Sequence, residues 1–144
     1  MTANELRLYQ RLQLAAHFMR KAADQRLIAE AELTAAQAGV LAVIAAGEPA
    51  VTQRDVARTL GLNESAMTAM AGRLMRAGLI DREPSDADAR AWRLGLTEAG
   101  RTAGRKAKAA FVAINARIED ELGAEEIVRF VGTLNRLIDR FVEG

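Results

Sequence analysis

Few residues of this sequence could carry out covalent or metal chemistry. His17 is the single histidine and there is no cysteine, which excludes thiolate metal sites, cysteine nucleophiles and disulfides. The sequence also lacks a glycine-rich phosphate loop and a cluster of carboxylates after a predicted strand. No catalytic constellation can be assembled from these residues, so we expect neither an enzyme nor a metal or cofactor site.

A different chemistry is available from hydroxyl and guanidinium groups in the middle of the chain. The hydroxyls of Ser65 and Thr68 can donate to or accept from base edges or phosphates. Arg73 and Arg76, one helical turn later, are long enough to reach phosphates. These residues alternate with small side chains, whose methyl groups can meet a thymine methyl.

The segment that carries these groups is predicted to be a pair of short helices joined by a tight turn. Thr52 can cap the first helix and Gly61 can end it in the left-handed conformation. Asn63 can cap the second helix, which ends at Gly78. This is the pattern of a helix-turn-helix.

Apolar spacing divides the second helix of this pair into two faces. One stripe, which we expect to face inward, consists of Met67, Met70, Ala71 and Leu74. The residues left facing outward are Ser65, Ala66, Thr68, Ala69 and Gly72. The outward face is therefore predicted to be small and almost uncharged.

A β-hairpin is predicted directly after this helix. "LIDRE" has the composition of a strand, "PSDAD" forms a turn, and "ARAWRLGL" places Trp92, Leu94 and Leu96 on one face at period two. The shared face predicts that Trp92 anchors the hairpin against the core. A hairpin in this place makes the unit a winged helix-turn-helix.

The remaining segments are predicted to be helices: one from Asn4 to about Asp24, one capped by Thr34, one after Thr97 and one from near Ala124. We therefore predict a mainly α fold with a small β-hairpin wing, in a single domain over residues 1–144. Residues 30–97 would form the winged helix-turn-helix lobe, and residues 1–29 and 98–144 would form helices used for dimerisation.

Apolar seams on the first and last helices favour a homodimer over an intramolecular bundle. A lobe of about 65 residues is too small to cover three long amphipathic helices, whereas a second copy can. The side chains predicted to form this interface are Leu8, Leu12, Ile127, Phe130, Leu134, Leu137 and Phe141.

The bulk composition agrees with a globular protein and adds little about partners. Half of the residues are hydrophobic and the net charge is +1, which by itself points to neither nucleic acid nor a membrane surface. No apolar segment resembles a signal peptide or approaches the length that crosses a bilayer. We expect a location in the cytoplasm of a prokaryote and no membrane partner.

In its order of motifs the sequence resembles the MarR family of transcription regulators over nearly its whole length. "LTAAQAGVLAVIAAG" is similar to the family's L-T-x-x-Q opening, and "VTQRDVARTLGLNES" to its T-x-x-x-L-A-x-x-L pair, with Val56 where leucine is usual. "RLMRAGLIDR" and "DADARAWRLGLTEAGR" resemble the recognition helix end and the wing, with Asp88 and Arg90 in a D-x-R motif. The resemblance implies a dimeric regulator that binds a palindromic operator in double-stranded DNA.

The resemblance also suggests a role for each part. The fourth helix would enter the major groove, although Ala69 and Gly72 stand where the family often has arginine and a polar residue. Arg90 at the wing tip would enter the minor groove, with its guanidinium held by Asp88. Phosphate contacts are expected from the backbone N–H groups at the start of the third helix and from arginines flanking the wing, namely Thr52, Gln53, Arg54, Arg82 and Arg93.

Family members often bind a small anionic or aromatic effector between the dimerisation and DNA-binding lobes, which changes the spacing of the recognition helices. Tyr9 and His17 lie on the first helix near that region by analogy and are the candidate ligand contacts. The bland outer face of the fourth helix leaves an alternative open, a MarR-like protein-interaction dimer with weak or lost sequence-specific DNA binding.

Overall fold

Six helices and a two-stranded antiparallel hairpin make up the part of the chain described in the computed structural model, residues 3–88 and 90–142. The helices and strands are α1 (Ala3–Ala31), α2 (Ala35–Gly47), α3 (Gln53–Leu60), α4 (Glu64–Arg76), β1 (Ile80–Pro84), β2 (Trp92–Leu96), α5 (Glu98–Leu122) and α6 (Ala124–Val142). The chain divides into two compact units, residues 1–110 and 111–144, with α5 contributing to both. The predicted fold class is confirmed.

Local hydrogen bonds explain where the helices begin and end. Thr34 and Thr52 each form a capping box with the residue three positions on, so that α2 and α3 start at the predicted places. Gly61 ends α3 with φ of 66°, and Gly78 follows α4 with φ of 74°. Both conformations are ones that glycine adopts without a Cβ clash.

The first helix is longer than its sequence predicts: it continues to Ala31, whereas its predicted end is near Asp24. The Asp24 carboxylate does not terminate the helix. Its Oδ1 accepts a hydrogen bond of 2.6 Å from the backbone N–H of Ala35, at the start of α2. Leu27, one turn further on, is fully buried. The helix therefore extends far enough to bury an apolar residue that the predicted boundary left out.

The core of the first unit lies where α2, α3, α4 and the hairpin meet. The helix α2 contacts α1, α3 and β2, while α4 contacts α3 and β1. The large side chains that are fully buried there are Leu27, Val40, Leu41, Ile44, Val56, Met67, Leu74 and Leu94. These contacts fix α4 on its inner face and leave its opposite face open to solvent.

The hairpin is joined to the start of α3 because Val51 and Thr52, just before that helix, bond to β2. Its register pairs Ile80 with Leu96 and Pro84 with Trp92. The backbone N–H of Leu94 donates to the carbonyl oxygen of Val51 at 3.0 Å, and Thr52 bridges to Arg93. The wing and the N-terminus of α3 are therefore held side by side by backbone hydrogen bonds.

In the second unit, α6 is amphipathic, and within residues 111–142 no residue is buried. No single helix in the described residues is long and apolar enough to cross a membrane, and the bent pair Arg7–Ala31 with Ala35–Gly47 meets that test only as a pair.

Candidate nucleic-acid interface

The outer face of α4 is a strip of small, exposed side chains, as its sequence predicts. Met67, Met70, Ala71 and Leu74 are buried. Ser65, Ala66, Thr68 and Ala69 are exposed and Gly72 is half-buried. The division of α4 into an inner and an outer face is confirmed, and it leaves the helix backbone approachable from solvent along its outer side.

The two hydroxyl groups on this face are already oriented by neighbours. Ser65 Oγ donates to Asn63 Oδ1 at 3.2 Å. Asn63 Oδ1 also accepts from the Ala66 backbone N–H at 2.8 Å. Thr68 Oγ1 accepts from Gln53 Nε2 at 3.2 Å. Consequently the Ser65 oxygen is left as an acceptor, whereas the Thr68 hydroxyl proton is left as a donor.

Arg73 and Arg76 are exposed in the last turn of α4. A Cβ placed on Gly72 would lie 3.4 Å from a terminal nitrogen of Arg76. The Arg76 guanidinium therefore reaches back beside the outer face of the helix, and a larger residue at position 72 would have to share that space.

At the start of α3, one of the three predicted backbone donors is already used. The Thr52 N–H donates to Asp55 Oδ2 at 2.9 Å and cannot also bind a phosphate. This bond, followed by the interaction of the Asp55 carboxylate with the Thr52 side chain, holds the pKa of the Asp55 carboxyl below its ordinary value. The N–H groups of Gln53 and Arg54 are in the first two helical positions, which have no acceptor inside a helix.

At the wing tip, Asp88 holds the backbone of Arg90 and not its guanidinium. Asp88 Oδ1 accepts from the Arg90 backbone N–H at 2.9 Å, and the Asp88 carbonyl accepts from the Ala91 N–H at 3.0 Å. The predicted ion pair between Asp88 and the Arg90 guanidinium is therefore wrong. An Asp side chain two residues before an N–H forms a local turn instead, and this leaves the exposed Arg90 side chain without an ion pair among the described residues.

Arg93, on β2, is bound by two carboxylates of the hairpin. Its guanidinium lies 2.7 Å from Glu83 across the strand pair and 3.4 Å from Asp86. These neighbours, with the Glu83 hydrogen bond first, raise the pKa of Arg93. A phosphate would have to displace both carboxylates, so these ion pairs oppose the predicted contact between Arg93 and phosphate.

Trp92 does not anchor the wing in the core, contrary to its sequence pattern. Leu94 is buried, but Trp92 is 40% exposed. It pairs with Pro84 at the outer end of the hairpin, beyond Ile80 and Leu94, which are both buried. There the ring is covered by the guanidinium of Arg82, which is itself exposed.

A cavity of about 290 Å³ lies between α3, α4 and the wing. It brings together Gln53, Arg54 and Arg90, three of the predicted contacts, with residues that sequence reasoning missed: Ala57, Arg58, Leu62, Glu64, Met67, Ala91 and Trp92. Arg58 could have been found, because it lies four residues after Arg54 and so on the same face of α3. Gln53 Oε1 is buried beside this cavity with no hydrogen-bond partner among the described residues.

The candidate effector residues are on the surface of α1. Tyr9 is 65% exposed, and His17 is exposed with its ring edge-to-face against Phe18, the centroids 5.3 Å apart. Their assignment as ligand contacts stays a prediction.

The predicted dimerisation residues are solvent-accessible in the single chain. Leu8 is exposed and Leu12 half-buried on α1. On α6, Ile127 and Leu134 are half-buried, while Phe130, Leu137 and Phe141 are exposed. An apolar helix face left in water in the monomer is available for burial by another chain.

The element order, the exposed face of α4 and the arginine-bearing wing define a winged helix-turn-helix transcription regulator. The sequence model of the MarR family matches residues 31–91. The PcaV transcriptional regulator from Streptomyces coelicolor, solved with its natural ligand, is 30% identical over 92% of this chain and 89% of its own, with a TM-score of 0.76. The chain belongs to the MarR family.

Two further solved structures share the fold over most of their length. MOSR from M. tuberculosis, solved in complex with DNA, is 26% identical, with 91% of this chain and 95% of MOSR covered and a TM-score of 0.75. CouR from Rhodococcus jostii RHA1, bound to p-coumaroyl-CoA, is 25% identical, with 88% and 87% covered and a TM-score of 0.79. No protein with a curated description matches this sequence.

Proposed function

We propose that this protein is a homodimeric transcriptional repressor that binds a palindromic operator in double-stranded DNA and is regulated by a small effector. The observation that carries the proposal is the pairing of an exposed, small-residue face on α4 with an arginine, Arg90, whose guanidinium is unpaired within the described part of the wing. MOSR, a relative of similar fold, has been seen in complex with DNA.

The small face of α4 suits close approach to the floor of the major groove. Ser65 offers an acceptor and Thr68 a donor, and the methyl groups of Ala66 and Ala69 can contact thymine methyls. Asn63, Gly72, Arg73 and Arg76 extend this surface along the helix, with the two arginines directed at phosphates. Such a helix makes few directional base contacts, so part of the sequence preference must come from elsewhere.

The wing supplies that second source of preference. A narrow minor groove in A·T-rich DNA concentrates negative potential, which attracts an inserted arginine. Asp88 fixes the backbone at Arg90, which limits the number of conformations the arginine loses on binding. Gln53 and Arg54 would contribute backbone N–H groups to a phosphate beside the cavity between α3, α4 and the wing, which Arg90 also lines.

Dimerisation follows from the cost of leaving apolar surface in water. Phe130, Leu137 and Phe141 on α6 and Leu8 on α1 are exposed in one chain. A second copy that covers them would remove this area from solvent, at roughly 25 cal/mol per Å². Two copies related by a twofold axis also match a palindromic site.

The effector is the third part of the proposal. PcaV has been seen with its natural ligand and CouR with p-coumaroyl-CoA. A ligand that binds one arrangement of the two recognition helices more tightly than the other shifts the population between them. We place its contacts at Tyr9 and His17, and we place the protein in the cytoplasm, where prokaryotic DNA lies.

Genomic footprinting followed by salt titration tests the proposal. We expect a protected palindrome, with affinity that falls steeply as salt is added because several phosphate contacts release counterions. Sedimentation should give a dimer. Failure to protect any genomic fragment, including the protein's own promoter, would overturn the proposal in favour of a protein-interaction dimer.

A further inference from the structure

Glu64 is an acidic group at a position where a DNA-binding surface would be expected to avoid one. It is the first residue of α4 and it is exposed. The first turn of a recognition helix is the part nearest to base edges. A carboxylate there meets the negative potential of the phosphates, so it weakens binding unless it receives a hydrogen bond from the DNA.

Other carboxylates near this surface are already occupied. Asp55 accepts from the Thr52 N–H, and Asp88 accepts from the Arg90 N–H. Glu83 and Asp86 bind Arg93. Among the described carboxylates of residues 52–93, Glu64 and Asp81 alone accept no hydrogen bond and form no ion pair, and Asp81 belongs to β1, not to α4.

The surroundings of Glu64 leave room for a base edge. An open depression in front of α4 is lined by Asn63, Glu64, Ser65, Thr68 and Ala69. Glu64 also lines the cavity that contains Arg54, Arg58 and Arg90. The carboxylate thus lies at the boundary between the small face of α4 and this cluster of arginines.

We propose that Glu64 is a specificity-determining residue that accepts a hydrogen bond from the exocyclic amino group of a cytosine in the major groove. Cytosine presents an N4 amino donor there. Guanine presents two acceptors, thymine an acceptor and a methyl group, and adenine an N7 acceptor next to its amino group, so each is less favourable beside a carboxylate. This inference rests on the proposed function and names one base that α4, with its small and almost uncharged outer face, would recognise.

A purely structural role for Glu64 predicts a different result. An acidic residue in the first turn stabilises a helix through its dipole whether or not DNA is present. Glu98 is the first residue of α5 and is also exposed. Glu98→Gln is therefore the matched control, because it removes the same charge from the same helical position elsewhere in the chain.

The experiment is selection of binding sites from a randomised duplex pool by the wild-type protein, Glu64→Gln, Glu64→Ala and Glu98→Gln. In the wild-type site we expect one position per half-site with roughly tenfold preference for cytosine. Glu64→Gln should shift that position towards adenine, which pairs with a glutamine amide through N6 and N7. Glu64→Ala should make it degenerate, and Glu98→Gln should leave it unchanged.

Salt titration and thermal unfolding complete the test. Both Glu64 variants should bind random duplex more tightly while keeping the wild-type dependence on salt, since no phosphate contact is lost. Any small change in Tm should be shared with Glu98→Gln. If wild type and Glu64→Gln select the same base at every position, the role of Glu64 is overturned but the proposed function is not. If the wild-type protein selects no site, the proposed function is overturned with it.

Discussion

The guanidinium of Arg82 lies over the indole ring of Trp92, with its carbon 4.3 Å from the ring centroid. The two residues are diagonal neighbours on the hairpin, because Arg82 pairs with Leu94 and Trp92 with Pro84. Ile80 and Leu94 are buried, whereas this stacking lies further out, beside the ion pairs of Arg93 with Glu83 and Asp86. Arg82 therefore has a structural partner in the free protein, and its predicted contact with phosphate stays a prediction.

Replacing Arg82 with alanine should expose the Trp92 ring to water. Trp92 is the single tryptophan of the chain, so its fluorescence emission should move to longer wavelength, and urea unfolding should show a loss of about 0.5–1 kcal/mol. Arg82→Lys keeps a cation near the ring and serves as the control. Unchanged emission and stability in Arg82→Ala would mean that the stacking does not order the wing.

Replacing Arg90 with alanine should weaken DNA binding by about 1–3 kcal/mol and relax the preference for A·T-rich flanks. The reason is that the guanidinium, which has no ion pair in the described structure, would enter the minor groove. Fluorescence anisotropy with labelled operators measures both effects. Arg26→Ala, which removes an arginine paired with Glu30 on α1, is the control, and wild-type affinity in Arg90→Ala would remove the wing from the binding model.

Placing an aspartate at position 134 should abolish dimerisation and DNA binding together. Leu134 is half-buried on α6 within the apolar seam, and a charge there would be removed from water in the dimer without a partner. Analytical ultracentrifugation reports the oligomeric state. Asn135→Asp adds the same charge at the next, exposed position and should remain dimeric. A monomeric wild-type protein would contradict the dimer altogether.

Substituting alanine for each of two glycines of α5 should change the free energy of unfolding in opposite directions. A Cβ on Gly100 would overlap the carbonyl oxygen of Leu79 and lie 3.0 Å from its carbonyl carbon, so Gly100→Ala should cost about 1–3 kcal/mol. Nothing lies within 4 Å of a Cβ on Gly104, so Gly104→Ala should gain up to ~1 kcal/mol of helix propensity. Urea unfolding compares the two, and equal effects would contradict the close approach of α5 to Leu79.

The Asp55 capping box should make stability depend on pH in the acidic range. The pKa of Asp55 is lowered from 3.8 in the folded chain, chiefly by the hydrogen bond from the Thr52 N–H. The stabilisation is therefore present above the unfolded pKa and is lost as the pH falls through the folded one. Asp55→Asn should cost about 0.5–1 kcal/mol at pH 7. Chemical unfolding at several pH values should show this difference shrinking below pH ~4, and a constant difference would contradict it.

The ends of most helices and the inner face of α4 could be predicted from local sequence. Thr34 and Thr52 bond to groups three residues away, and Gly61 supplies its own left-handed turn. Such signals act within one turn of chain, and the apolar stripe of α4 follows from helical periodicity alone. The helix ends and the apolar stripe could be predicted from the sequence because neither depends on how distant segments pack together.

Which charged and aromatic groups of the site are free depends on contacts between distant segments, and these could not be predicted from local sequence. Trp92 has the same alternation as Leu94, yet only the position of the hairpin relative to the core shows that one is exposed and the other buried. Arg93 and Arg90 are both arginines of the wing, but the strand register brings Glu83 to Arg93, while the turn at Asp88 engages only the backbone of Arg90. Pairing between side chains depends on register and direction across the hairpin, and the order of residues along the chain does not specify these.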